Sequence, residues 1–253
     1  MAEPLNSRHR PGWSAGEENA AGVQAVPSAD RQPVALTARD SFDRNAAVTE
    51  PTRAGSDGRG VLVIACGALA REVQSALDAS RLDHIALTCL PAILHNRPQL
   101  IPEAVRAAIR ANRDRYAHIA VAYADCGTGG LLDQVCEEEG VSRIAGPHCY
   151  AFYWGNEAFR ARGDADMDAF YLTDFLARQF EAFVVEPLGL DRHPELRDLY
   201  FGNYRRLIYL AQTDDPLLEK RAIAAASRLG LVYEKHVTGL GDLPAFAAAL
   251  PES

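Results

Sequence analysis

Three of the five cysteines in this 253-residue chain occupy one kind of position, and it is a position where thiols do chemistry. Cys66 closes the apolar run Gly60-Val-Leu-Val-Ile-Ala65, Cys126 closes Ile119-Ala-Val-Ala-Tyr-Ala-Asp125, and Cys149 follows Arg143-Ile-Ala145. A residue between a strand end and a helix start meets unpaired backbone N–H groups and the positive end of a helix dipole, which favour a thiolate. The thiolate is both the nucleophile and the metal ligand. A small buried cysteine is also an ordinary packing residue, so each thiol carries that reading beside the chemical one. Cys136, inside a helical stretch without special neighbours, reads as packing alone.

Two chemistries fit. In the first, Cys66, Cys126 and Cys149 bind zinc or an iron–sulfur cluster, with His95 and His148 as nitrogen ligands or acid–base groups. No Cys-x-x-Cys pair exists, so separate loops must converge, with sulfurs roughly 3.5–4 Å apart around a zinc. In the second, Cys126 is a lone nucleophile with His95 or His148 as base and Asp125 alongside. The backbone of Gly127, Thr128 and Gly129 then receives an anion. Gly67 and Gly127, each directly after a cysteine, let the backbone approach a bound group closely. Cys126-Gly-Thr-Gly-Gly130 lacks both the ending of a Walker loop and the spacing of a dinucleotide fingerprint, so neither ATP nor NAD is expected. Tyr150 opens an aromatic segment, reaching Trp154, that reads as a lid over a ligand or as core. Asn203-Tyr-Arg-Arg206 reads as a carboxylate grip or as a solvated face.

Strands alternate with helices along the chain. Strands are predicted near 60–65, 84–90, 119–125, 143–145, 206–211 and 231–235. The run from Phe170 to Pro187 reads as one helix, with Thr173 as N-cap and Phe175, Leu176, Phe180 and Phe183 as its buried stripe. Gln212-Thr-Asp-Asp-Pro216 caps a helix that reaches about Leu229. This alternation predicts an α/β fold, a mostly parallel sheet with helices on both faces, in one domain over 59–253. Three units, ending at Cys66, Cys126 and Gln212 and each leading into a helix, look like a diverged strand–helix repeat. In such sheets ligands bind beyond the carboxyl ends of the strands, where the cysteines lie.

A formal net charge of −8 argues against a phosphate-gripping basic face, so nucleic acid is not an expected partner. No run of about 18 apolar residues predicts a membrane helix. An odd number of cysteines and the lack of an apolar leader favour reduced thiols in the cytoplasm. Residues 1–58, rich in Ala, Arg, Gly and Pro without apolar periodicity, read as a disordered extension.

Six segments together carry a resemblance. They are Ala65-Cys66-Gly-Ala-Leu69, Leu94-His95-Asn96, Tyr123-Ala-Asp-Cys126-Gly-Thr-Gly-Gly130, Gly146-Pro-His148-Cys149-Tyr150, Tyr171-Leu-Thr-Asp-Phe175 and Tyr200-Phe-Gly-Asn-Tyr204. From about Gly60 to Leu250 the chain resembles a family of bacterial and archaeal proteins carrying the domain of unknown function 1638. The resemblance supplies no catalytic assignment. Family members are associated with corrinoid-dependent methyltransferase systems for methylamines and related compounds. It therefore implies a small-molecule substrate and a place in methyl-transfer or one-carbon metabolism. The alternative it implies is a non-catalytic accessory protein that binds a corrinoid, a metal or a methyltransferase partner.

Overall fold

Short apolar runs separated by amphipathic segments build the strands and helices of a computed structural model that describes residues 60–82 and 84–251. The extension over 1–58 lies outside the described residues. In order, the elements are β1 (Val61–Cys66), α1 (Ala70–Ala79), β2 (Ile85–Leu90), α2 (Ile101–Asn112), β3 (His118–Ala122), α3 (Leu131–Glu139) and β4 (Ser142–Arg143). Then come α4 (Cys149–Trp154), α5 (Asn156–Arg162), β5 (Ala169–Thr173), α6 (Asp174–Arg178), α7 (Arg197–Phe201), β6 (Arg206–Ala211), α8 (Pro216–Leu229), β7 (Val232–Val237) and α9 (Leu243–Ala248).

The fold is α/β and its strands are parallel, divided between two sheets ordered β2-β1-β3-β4 and β5-β6-β7. The repeat-like units consequently separate: those ending at Cys66 and Cys126 share the first sheet, and the one ending at Gln212 belongs to the second. β1 is central and buried at all six positions, as a strand covered on both faces must be. Each such Val, Leu or Ile contributes roughly 1.5–3 kcal/mol over its exposed state.

β6 links two cores by alternation. Ile208 and Leu210 join the apolar core of the first sheet, whereas Leu207, Tyr209 and Ala211 face a second core with Phe180, Val184, Leu218 and Ala222. Helix α8 starts where its cap predicts. Asp215 accepts from the N–H groups of Leu217 (2.8 Å) and Leu218 (3.4 Å), Pro216 follows, and Gly230 ends the helix in the left-handed region.

The stretch from Phe170 to Pro187 corrects the expectation of a single helix. Phe170 to Thr173 form part of β5, paired with Leu207 to Leu210, and only Asp174–Arg178 is α-helical before a π-turn over Glu181–Val185. The apolar spacing fits either period, and pairing with β6 decides the matter. Thr173 does cap α6, its Oγ1 accepting from Leu176 N–H at 3.4 Å.

A buried ion cluster ties α5 to the second sheet. Asp166 accepts from Arg162 Nε and from Arg162 Nη2 at 2.7 Å, from Tyr171 Oη at 3.0 Å and from Arg206 Nη2 at 3.2 Å. Arg206 also holds Asp168 at 2.7 Å, so this arginine grips carboxylates of its own chain. The Arg162 guanidinium, against opposing burial and with help from Tyr171 and Arg206, holds the Asp166 carboxyl at a pKa of about 2. A depressed carboxyl pKa stabilises the fold above the ordinary value near 4 and loses that contribution as pH falls toward 2. We expect Asp166→Asn to lose about 1–2 kcal/mol at neutral pH and to converge on the parent only as the pH falls through about 2. Urea unfolding across that range checks this, and parallel pH profiles would contradict it. Among the described residues no helix is long and apolar enough to cross a membrane.

Candidate functional site

The register of the first sheet brings the thiols together. Ala65 pairs with Ala122 and Cys66 with Leu90, so the carboxyl ends of β1, β2 and β3 stand side by side. Cys66 ends β1 and caps a short 3-10 turn, its Sγ accepting from Ala68 N–H at 3.3 Å. That turn presses on the end of β2: a Cβ at Gly67 would lie 2.9 Å from Leu90 O and 3.2 Å from Ala92 N. Glycine at 67 thus serves a backbone approach within the fold.

Directly after β2, the turn Ala92–Asn96 delivers His95. Its Nδ1 lies 3.5 Å from Cys66 Sγ and 3.2 Å from Ala92 O. Burial disfavours the imidazolium, but a hydrogen bond with Cys126, the Cys126 charge and the Ala92 carbonyl outweigh it and raise the His95 pKa. His95 therefore contacts Cys66 on one strand end and feels Cys126 on another.

Beyond β3 the chain runs beside the loop after β4, with Asp125 N–H donating to Gly146 O at 3.1 Å and Cys126 N–H to Pro147 O at 2.8 Å. Cys126 then adopts φ +51°, in the left-handed region where a side chain costs about 1–2 kcal/mol. Strain of this kind is found where a side chain must be aimed. The following loop is shaped by Asp125, whose carboxylate accepts from Thr128 Oγ1 (2.5 Å), Gly130 N–H (2.8 Å) and Gly129 N–H (3.2 Å). Burial opposes its charge, yet these donors and Arg143 prevail and lower its pKa. Both Asp125 oxygens are engaged within the loop, as are the Gly129 amide and the Thr128 hydroxyl, which leaves that loop to position Cys126. Gly127, by contrast, is exposed beside Pro98.

Cys149 opens α4. Burial pushes its thiol well up, the charges of Cys126 and Cys66 push it further, and the amides at the helix start oppose them. The three sulfurs therefore lie in one another's field. Burial likewise pushes Cys66 to about 12, eased by Ala68 N–H and Tyr123, and Cys89 to about 12. His148, just before α4, packs against Tyr150 at 5.2 Å and edge-on to Phe159 at 5.1 Å. Its Nδ1 is buried without a hydrogen-bond partner, and burial lowers its pKa. Tyr150 stacks on Tyr171 at 5.2 Å, while Phe152 and Tyr153 are core. α4 is pinned from behind, since Asp242 N–H donates to Phe152 O at 2.8 Å and a Cβ at Gly241 would overlap that backbone. Cys136 is buried in α3, as its helical setting implies.

Tyr123 was not singled out by residue chemistry, yet it sits at the heart of this cluster. It is fully buried, stacked on His95 with ring centroids 6.1 Å apart, and in the field of Cys66, Cys126 and Cys89. A phenol one residue past a buried parallel strand was the available signal. Among the described residues no three His, Cys, Asp or Glu side chains already stand in a metal-holding arrangement. The donors are gathered, not converged.

The family described as "Protein of unknown function (DUF1638)" matches residues 89–246. The chain belongs to that family. The span of the DUF1638 match includes His95, Tyr123, Cys126, His148 and Cys149, and Cys66 lies ahead of it. No curated protein and no solved structure matches the chain.

Proposed function

We propose that this DUF1638 protein is a metal-dependent enzyme whose centre is held by Cys66, Cys126 and Cys149, with His95 as nitrogen donor. The observation that carries the reading is His95, 3.5 Å from the Cys66 sulfur at one strand end and influenced by Cys126 at another, while Cys149 shares the field of both thiols. Buried thiols at a pKa of about 12, as at Cys66, are protonated near neutrality and are poor nucleophiles. A cation is what makes several neighbouring thiolates tenable, since binding displaces their protons and neutralises their charge. Thiols with one imidazole suit zinc, and thiols alone suit an iron–sulfur cluster. The buried Tyr123 hydroxyl, left without a hydrogen bond, also fits a site that is completed by a bound group.

The bound metal would supply a Lewis-acidic position open to a small substrate. Cys66, Cys126 and Cys149 fix its place at the sheet edge. His148, held neutral by burial and with a free Nδ1, is the group available to accept a proton from that substrate. Methyl-transfer or one-carbon chemistry is the substrate class we favour, on the strength of the family resemblance. We place the protein in a reducing compartment, the cytoplasm, where thiols such as those of Cys66 and Cys126 are kept reduced.

Anaerobic purification followed by metal analysis tests the reading. Stoichiometric zinc or iron in the parent, lost in Cys66→Ala and kept in Cys136→Ala, is the expected result. Absence of metal from the parent, with stoichiometric cobalamin binding in its place, would instead favour a non-catalytic corrinoid-binding accessory.

A further inference from the structure

A second cleft, of about 400 Å³, opens between α8 and the stretch formed by α6 and the π-turn after it, and no cysteine or histidine lines it. Small-molecule sites occupy roughly 300–1,000 Å³, so the cleft is large enough for a compact ligand. One wall is a single stripe of α8, where Arg221, Ala224, Ala225 and Arg228 recur at the spacing of one helix face. The alanines between the arginines leave open the space that longer side chains would fill. The facing wall brings Arg178 from the end of α6 and Glu181 from the π-turn, with Phe180 as buried apolar surface between them.

Three guanidiniums therefore share this cleft with one carboxylate, in a chain whose formal net charge is −8. Other arginines of the fold are tied down by their own acids, Arg206 by Asp168 at 2.7 Å and Arg113 by Glu139 at 2.7 Å. In the cleft that neutralisation is incomplete. Arg228 Nη1 donates to Glu181 at 2.5 Å, but Arg178 Nη2 stands 3.5 Å from Glu72, beyond ordinary hydrogen-bond length. Arg221 is exposed and has no partner among the described residues. A guanidinium presents a fixed fork of N–H donors that matches the oxygens of a phosphate or a carboxylate.

We propose that this cleft binds a small organic dianion, a phosphomonoester or a dicarboxylate. Arg221 and Arg178 hold its charge, Arg228 adds the donors that Glu181 leaves free, and Phe180 receives its apolar part. The site is separate from the thiol centre, and its occupancy does not depend on a metal.

Calorimetric titration of the full chain with phenyl phosphate, inorganic phosphate and succinate tests this, at about 50 mM salt, where charges are weakly screened. Phenyl phosphate or succinate is expected to bind, and whichever binds more tightly identifies the acid as phosphate or carboxylate. Phenyl phosphate should also bind more tightly than inorganic phosphate, because its ring covers Phe180. Arg221→Gln should weaken binding about 10-fold or more, as loss of a charged hydrogen-bond donor does. Ala224→Glu, which sets a carboxylate among the arginines, should abolish it. Residues 221 and 224 are both exposed on α8, so without ligand both variants should melt with the parent. Arg160→Gln removes the same charge from the exposed surface of α5 and should leave the affinity within about twofold, since distant surface charges are screened. Absence of binding by phenyl phosphate and succinate at about 10 mM would overturn the proposal. So would an affinity unchanged in Arg221→Gln and Ala224→Glu, or lost equally in Arg160→Gln. None of these outcomes bears on the thiol centre, whose test is the metal content.

Discussion

Cys126→Gly is expected to stabilise the metal-free chain by up to about 1 kcal/mol and to lower zinc affinity by more than about 100-fold. The two effects have separate origins. Cys126 sits at φ +51°, where glycine carries no steric penalty, and glycines already follow at 127, 129 and 130. Relief of that strain exceeds the added freedom of glycine in the unfolded chain by a small margin. The affinity loss comes from removing a thiol that influences His95 and lies in the field of Cys149. Loss of a direct ligand should exceed the 10–100-fold typical of residues that merely support one. Urea unfolding and competition against a chromophoric chelator read the two quantities on the same preparation. A variant that is more stable and binds zinc as well as the parent would show that the strain at Cys126 serves something other than a metal.

Asp174→Ala is expected to cost about 3–5 kcal/mol of stability, the largest purely structural effect in the second sheet. Asp174 is wholly buried at the start of α6. Its carboxylate accepts from Tyr209 Oη (2.6 Å), Gln212 N–H (3.1 Å), Thr213 N–H (3.0 Å) and Thr213 Oγ1 (2.5 Å). Gln212 returns the link, its Oε1 accepting from Asp174 N–H at 2.8 Å. This exchange fastens the carboxyl ends of β5 and β6, and alanine would strand several buried donors at once. Denaturant unfolding with an unchanged slope would measure it. A loss below 1 kcal/mol would mean that water reaches those donors.

The elements most readable from sequence were those with local punctuation. β6 and α8 are bounded by Asp215, Pro216 and Gly230, whose caps act within a few residues. Phe170 to Thr173 has no such signal, and its strand state is decided by β6, some forty residues away. The division into two sheets is likewise a matter of pairing, and no single strand announces it. At the site, strand-end cysteines were legible because Cys66 and Cys126 terminate continuous apolar runs. Asp125 looked like a catalytic neighbour of Cys126, and its hydrogen bonds to Thr128, Gly129 and Gly130 form a turn that the residue order itself suggests. Tyr123 escaped notice because a tyrosine between alanines reads as core. Only the parallel register, with Ala65 beside Ala122, brings it alongside the strand-end thiols and His95.

The same register underlies the central claim, that thiols from separate strand ends serve one centre with His95. X-ray absorption at the metal edge of the anaerobically purified protein tests this most directly. The account predicts sulfur scatterers at about 2.3 Å and, for zinc, one nitrogen at about 2.0–2.1 Å, with the sulfur count falling by one in Cys126→Gly. A first shell of nitrogen and oxygen alone, or a spectrum unchanged by that substitution, would contradict it.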